Sequence, residues 1–207
     1  MRRWYLLSVG AAAIVGVAVG VAWHTNVSGS AARLPMLPTL NGQATWRAGD
    51  RPAPGFVLHD QHGRQVSLQS LRGSTIALTF LDSLCKAACP VEGRMLAAAI
   101  RQVAPGSRPR LVVVSVNPAG DTPASVAKAA HKWTLPANTA WLLGTHAELA
   151  RVWDAYQITV EPMSGEVVHS TAVYLIDKRG NERAGFLLPF IPGLVAGDLR
   201  KLAAEPA

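Results

Sequence analysis

The stretch that decides the fold runs from Ile76 to Pro90 and reads IALTFLDSLCKAACP. Its first part, Ile76 to Leu81, is an apolar run of the kind found in strands that are buried on both faces. Cys85 and Cys89 follow directly, and Pro90 suits the first turn of a helix. The stretch therefore predicts a buried strand that delivers two thiols to the start of a helix.

Apolar patterns on both sides of this stretch predict an alternation of strands and helices. A hairpin turn is expected at Asp60–Gly63, and such alternation favours an α/β fold with a mostly parallel central sheet, flanking helices and an N-terminal hairpin. A dithiol at the end of the first core strand is the thioredoxin-like arrangement, with the thiols where ligands bind in such sheets. Strands are predicted at 56–58, 66–68, 76–81, 111–116, 140–143, 171–177 and 183–188, and helices at 91–103, 121–133, 146–156 and 193–203.

The composition indicates a globular chain without a nucleic-acid footprint. Of the 207 residues, 49% are hydrophobic and 16% are charged, which excludes an intrinsically disordered chain. The net charge is +7, but the Lys and Arg residues are scattered and form no basic stripe. Because nucleic-acid binding needs clustered positive charge, we expect no nucleic-acid partner.

The N-terminal segment predicts a membrane anchor. Tyr5 to Trp23 carries no charged residue and is long enough to span about 30 Å of hydrocarbon as a helix. Arg2 and Arg3 precede it, so the positive-inside rule places the rest of the chain outside the cytoplasm. We expect an anchor at 1–23, a linker at 24–52 and a folded domain at 53–207, in a single-pass protein of the cell membrane with its C-terminal domain extracytoplasmic. A cleaved signal peptide is the alternative.

The two cysteines are the only ones in the chain, and they lie four residues apart. One turn of chain can bring their Cα atoms within the range of a disulfide, about 4.4–6.8 Å. A helix N-terminus and the cation of Lys86 both favour a thiolate. Two such thiols can act as a redox pair or bind a soft metal, whereas the simpler alternative is a pair of buried apolar side chains.

The strand, the Cys-x-x-x-Cys-Pro motif and the helix together resemble the Sco (SenC) family. Members of that family are thioredoxin-like copper-binding proteins that assist assembly of the binuclear copper centre of cytochrome c oxidase. The resemblance covers about residues 53–203. It includes the opening hairpin at 56–63, the segment LQSLRG at 68–73 and the segment VHSTAVYLID at 168–177.

The resemblance implies copper as the cofactor, with Cys85, Cys89 and His169 as its ligands. It also implies the copper-bearing subunit of cytochrome c oxidase as the partner. His169 precedes the strand expected beside the dithiol loop, although a surface histidine is the alternative. The chain departs from many members at two places: Lys86-Ala87 stands where Pro-Asp is common, and Asp82 stands in place of Thr or Tyr.

Three other functions are compatible with the two thiols. A membrane-anchored thiol–disulfide oxidoreductase would need both cysteines but not His169. A peroxidase of the peroxiredoxin kind would place Thr three residues before its reactive cysteine, where this chain has Asp82. A purely structural disulfide between Cys85 and Cys89 would close too small a loop to add much stability.

Overall fold

The computed structural model describes residues 39–163 and 166–207. The predicted anchor at 1–23 and the first part of the predicted linker lie outside these residues. Within the described ranges, every helix is too short or too polar to cross a bilayer.

The described residues form ten strands and four α-helices, in an order close to the predicted one. The strands are β1 (Ala44–Thr45), β2 (Val57–Asp60), β3 (Gln65–Ser67), β4 (Ile76–Leu81), β5 (Arg110–Ser115), β6 (Ala140–Leu143), β7 (Val160–Met163), β8 (Glu166–His169), β9 (Val173–Ile176) and β10 (Glu182–Phe186). The helices are α1 (Ala88–Arg101), α2 (Pro123–Lys132), α3 (His146–Ala155) and α4 (Pro192–Ala204), with short 3-10 turns at Gln69–Leu71 and Pro105–Ser107.

Eight strands form one sheet in the order β1-β10-β9-β4-β5-β6-β2-β3. In this sheet only the pairs β4–β5 and β5–β6 are parallel, and the other neighbours pair antiparallel. The α/β class is confirmed, but the expected mostly parallel sheet is wrong, because the sheet is mixed. Parallel pairing is confined to the strands that helices α1 and α2 connect, since a parallel pair requires a crossover.

Strand β4 lies in the middle of the sheet and separates two apolar cores. All six of its residues are buried. Ala77 and Leu81 face a core that also contains apolar residues of α1, α2 and α4, while Leu78 and Phe80 face a core with residues of α3. Burial on both faces explains why the sequence of this strand is apolar rather than alternating. The site begins where this strand ends.

The last part of the predicted linker belongs to the folded domain. Strand β1 pairs with β10 at the sheet edge, although 24–52 was expected to be free of regular structure. Arg51 forms an ion pair with the buried carboxylate of Glu182, and the backbone N–H of Asn41 donates to Asp198 at 2.6 Å. These contacts show that residues 41–51 pack against the domain expected to begin at residue 53.

Strands β7 and β8 form a hairpin outside the main sheet, and the sequence did not predict it. The two strands pair antiparallel, with Val160 opposite His169. Backbone hydrogen bonding continues just beyond the hairpin, where the N–H of Ser170 donates to the carbonyl of Thr159 at 3.0 Å. The hairpin thus fixes the backbone that carries His169.

Candidate functional site: a dithiol and a histidine at the end of strand β4

Cys85 lies in the short connection between β4 and α1, where the backbone N–H groups of the helix start are free. Helix α1 has no side-chain cap from Ala87, the residue at its N-cap position. The sulfur of Cys85 instead accepts hydrogen bonds from the backbone N–H groups of Ala87 and Cys89. A helix N-terminus stabilises negative charge, so this position favours a thiolate.

The thiol of Cys85 is strongly acidic. A hydrogen bond from the Cys89 side chain, followed by those from the backbone, lowers the pKa of Cys85 from its usual 9.0 to about 5. Burial and the nearby carboxylate of Asp82 both act in the opposite direction. Because Cys85 is only half-buried, it is an accessible thiolate at neutral pH.

Cys89 has the opposite character. Its side chain is completely buried in the first turn of α1. Its side-chain hydrogen bond to Cys85, together with burial, raises the pKa of Cys89 far above its usual value. In the dithiol state, which this structure represents, Cys89 is a neutral donor and Cys85 is the charged acceptor. The two cysteines therefore divide into a reactive thiolate and a buried thiol.

His169 faces Cys89 from strand β8. Its Nε2 lies 3.4 Å from the sulfur of Cys89, and its Nδ1 lies 2.9 Å from the carbonyl oxygen of Ser170. A carbonyl can only accept, so Nδ1 carries a proton and donates to Ser170. In a neutral imidazole this leaves the lone pair of Nε2 directed at Cys89, which is the arrangement found in metal-binding histidines.

The three residues meet at a cleft of about 280 Å³. Cys85 and His169 line the cleft, while the buried Cys89 contacts His169 without lining it. Asp82 lines it as well, with its carboxylate accepting from the backbone N–H of Leu84 at 2.8 Å and from the Asn117 side chain at 3.1 Å. The structure thus brings together the residues that the sequence singled out.

The cleft is not a closed metal cage in this state. Within 39–163 and 166–207, no three His, Cys, Asp or Glu side chains are grouped closely enough to hold a metal ion. Cys89 contacts His169 on one side and Cys85 on the other. Two thiols and one unprotonated imidazole nitrogen nevertheless form the donor set that soft copper prefers.

Glu92 is a residue of the site that the sequence analysis missed. It lies one turn after Cys89 in α1 and is completely buried. Burial raises the pKa of its carboxyl group to about 7. Its position on the buried face of α1, one helical turn after Cys89, was the available signal.

The family comparison covers most of the chain. The model of the SCO1/SenC family matches residues 46–202. A comparison with curated proteins gave no significant match.

Solved structures of Sco proteins have the same fold. ScoI of Bradyrhizobium japonicum, with copper bound, is 26% identical over 73% of this chain and 99% of its own, with a TM-score of 0.64. ScoI of Arabidopsis thaliana, also with copper bound, is 25% identical over 74% and 99%, with a TM-score of 0.66. BsSco, a member of the Sco family of cytochrome c oxidase assembly proteins in which a disulfide switch was identified, is 21% identical over 79% and 100%, with a TM-score of 0.67.

The likeness to these structures extends over about three quarters of the chain. Together with the family match over residues 46–202, it leads to one conclusion. This chain belongs to the SCO1/SenC family.

Proposed function

We propose that this protein binds copper through Cys85, Cys89 and His169 and assists assembly of the copper centre of cytochrome c oxidase. The observation that carries the proposal is the contact between the Cys89 sulfur and His169 Nε2, at 3.4 Å. Hydrogen bonding of Nδ1 to Ser170 holds the ring with Nε2 free to bind a metal. The two similar ScoI structures bind copper.

The donor set favours Cu(I). Thiolates are soft ligands that select copper over harder cations, and a mixed sulfur–nitrogen set also accommodates Cu(II). Cys85 is already a thiolate, whereas Cys89 must lose its proton when it binds the metal. We therefore expect copper binding to release a proton and to weaken as the pH falls.

The proposed client is the copper-bearing subunit of the oxidase. Two findings support this proposal: the chain belongs to the SCO1/SenC family, and it is similar to BsSco, a member of the Sco family of cytochrome c oxidase assembly proteins. We further propose that the segment 1–23 tethers the domain to the membrane with residues 53–207 on the extracytoplasmic side. A cleft that opens to solvent there could meet a client on the same side.

A thiol–disulfide oxidoreductase is the second candidate, and one observation favours it. Cys85 is an accessible thiolate next to the buried neutral thiol of Cys89, which is how an attacking and a resolving cysteine are arranged. Such an enzyme could reduce the cysteines of an oxidase subunit. It would not need His169, so that residue separates the two functions.

The test is complementation of cells that lack the protein, with copper content and activity of cytochrome c oxidase as the readout. We expect Cys85→Ser and His169→Ala both to fail, while His131→Ala, which changes an exposed histidine of α2, restores the oxidase. If His169→Ala restores the oxidase and Cys85→Ser does not, the protein acts as a thiol–disulfide oxidoreductase and the proposed copper-binding function is wrong.

A further inference from the structure

A chain of buried hydrogen bonds links helix α1, which carries Cys89, to the segment that follows His169. Glu92 of α1 is hydrogen-bonded to the hydroxyl of Thr79 in β4. The same hydroxyl lies 3.0 Å from the carbonyl oxygen of Ala172. Ala172 precedes β9 and comes three residues after His169. All three members are buried, so water does not compete for these hydrogen bonds.

The Thr79 hydroxyl has two acceptor oxygens beside it, and a neutral Glu92 is the state that satisfies both contacts. A Thr hydroxyl has one proton to donate, and a backbone carbonyl can only accept. If Thr79 donates to Ala172, then Glu92 must donate its own proton to the Thr79 oxygen. An ionised Glu92 would compete with the Ala172 carbonyl for the single proton of Thr79, and one of the two acceptors would lose its partner.

The surroundings of Glu92 favour the same state. Its second oxygen, Oε2, is buried and has no hydrogen-bond partner among the described residues. Burying a charge without a partner is costly. The ionisable groups that interact with it are the thiols of Cys85 and Cys89, and a thiolate at Cys85 opposes a second negative charge. Strand β4 and the segment before β9 face it with Thr79 and Ala172, which carry no charge.

We infer that Glu92, as a neutral acid, is a positioning residue that holds the His169 segment against the dithiol helix through Thr79 and Ala172. This inference rests on the proposed copper site and adds its interior support. Residues that orient metal ligands in this way commonly change metal affinity by about 10- to 100-fold when they are replaced. Glu92 itself is not one of the proposed copper ligands.

The test compares matched substitutions in the purified full-length protein. Glu92→Gln and Thr79→Ser keep the hydrogen bonds, and we expect both to bind Cu(I) as the parent does. Glu92→Ala and Thr79→Val break the connection, and we expect affinity to fall by about 10- to 100-fold. Thermal unfolding of the metal-free variants checks that they are folded. If Thr79→Val is unfolded, the comparison of Glu92→Ala with Glu92→Gln tests the inference by itself.

Two readouts need no metal. Infrared difference spectra between the parent and Glu92→Gln should contain the band of a protonated carboxyl group, and its absence would overturn the neutral state of Glu92. The ring nitrogen signals of His169 in NMR spectra should change in Glu92→Ala but not in Glu92→Gln. Equal affinities and unchanged ring signals in Glu92→Ala would overturn the inference, whereas parent-like copper binding by His169→Ala would instead contradict the proposed copper site.

Discussion

The reactivity of the site depends on how one proton is shared between two sulfurs. Cys85 accepts hydrogen bonds from the Cys89 side chain and from two backbone N–H groups, and this lowers its pKa to about 5. Four-residue spacing and a helix start could be inferred from the sequence. The direction of the sharing could not, because it depends on which sulfur is buried, and that is set by packing from distant parts of the chain.

The acidity of Cys85 predicts how its alkylation depends on pH. In the reduced, metal-free protein we expect rapid alkylation of Cys85 at neutral pH, falling only as the pH approaches about 5. Replacing Cys89 with Ala removes the main hydrogen bond and should shift this fall toward the usual thiol range. Mass spectrometry of protein quenched over a pH series measures both. A parent profile centred near pH 9.0, with no change in Cys89→Ala, would disprove the shared proton.

Glu92 should make stability depend on pH in the opposite sense from an ordinary carboxylate. Its pKa is raised from 4.5 to about 7 in the folded state. The folded protein therefore holds a proton that the unfolded chain releases between these values. The stabilisation is complete below pH 4.5 and is lost as the pH rises through about 7.

Urea unfolding of the parent and of Glu92→Gln at several pH values checks this slope. We expect the free energy of unfolding of the parent to fall, relative to the variant, as the pH rises from 4.5 to about 7. Cys85 also titrates in part of this window with the opposite sign, since its folded pKa is lowered. Introducing Cys85→Ser into both the parent and Glu92→Gln removes this contribution. If the difference in free energy of unfolding between these two proteins then does not change with pH, Glu92 is not protonated in the folded state.

At the scale of elements, long apolar patterns were predictable and short edge pairs were not. Strand β4 and helices α1 to α4 follow from their hydrophobic patterns, and α2 and α3 also have capping boxes at Thr122 and Thr145. Strand β1 has two exposed residues and is held by backbone pairing, which leaves no apolar pattern to detect. The hairpin β7–β8 contains Pro162, a residue that usually argues against a strand.

Helix α1 approaches Trp133 closely at Gly93, where an added side chain would crowd the indole ring. A Cβ added at Gly93 would lie 3.0 Å from the ring of Trp133, which is itself buried at the end of α2. We expect Gly93→Ala to destabilise the protein by about 1–3 kcal/mol through overpacking, despite the better helix propensity of Ala. Because Cys89 lies in the first turn of α1, the same change should also disturb its contact with His169.

Gly197 in α4 provides the matched control for this substitution. A Cβ there would meet its nearest atom at 3.7 Å, an ordinary contact distance. Gly197→Ala should therefore leave stability unchanged or raise it by about 0.5–1 kcal/mol. Chemical denaturation of both variants makes the comparison. Equal effects at the two positions would show that Trp133 does not constrain α1.

At the scale of the whole molecule, part of the segment that the sequence analysis assigned to a linker packs against the folded domain. The contacts of residues 39–52 with β10 and α4 link positions far apart in the chain, and such pairings are not visible in a local pattern. The mixed sheet has the same origin. The alternation of strands and helices predicted parallel pairing, but β9 pairs antiparallel with β4, and β2 of the hairpin β2–β3 pairs antiparallel with β6.

The position of the domain boundary can be tested with two fragments, 39–207 and 53–207. The shorter one lacks β1 and Arg51, so the buried carboxylate of Glu182 loses its cation. We expect both fragments to fold, with the shorter less stable by roughly 1–3 kcal/mol, the usual cost of an unsatisfied buried group. Urea titration gives the difference, and identical midpoints would mean that residues 39–52 do not stabilise the domain.

The ligand set of the copper-loaded protein is the central claim, and X-ray absorption at the copper edge tests it most directly. For the reduced protein loaded with one Cu(I), we predict two sulfur ligands and one imidazole nitrogen, with the nitrogen lost in His169→Ala and kept in His131→Ala. A spectrum with sulfur ligands alone, or an unchanged imidazole signal in His169→Ala, would contradict a site built from Cys85, Cys89 and His169.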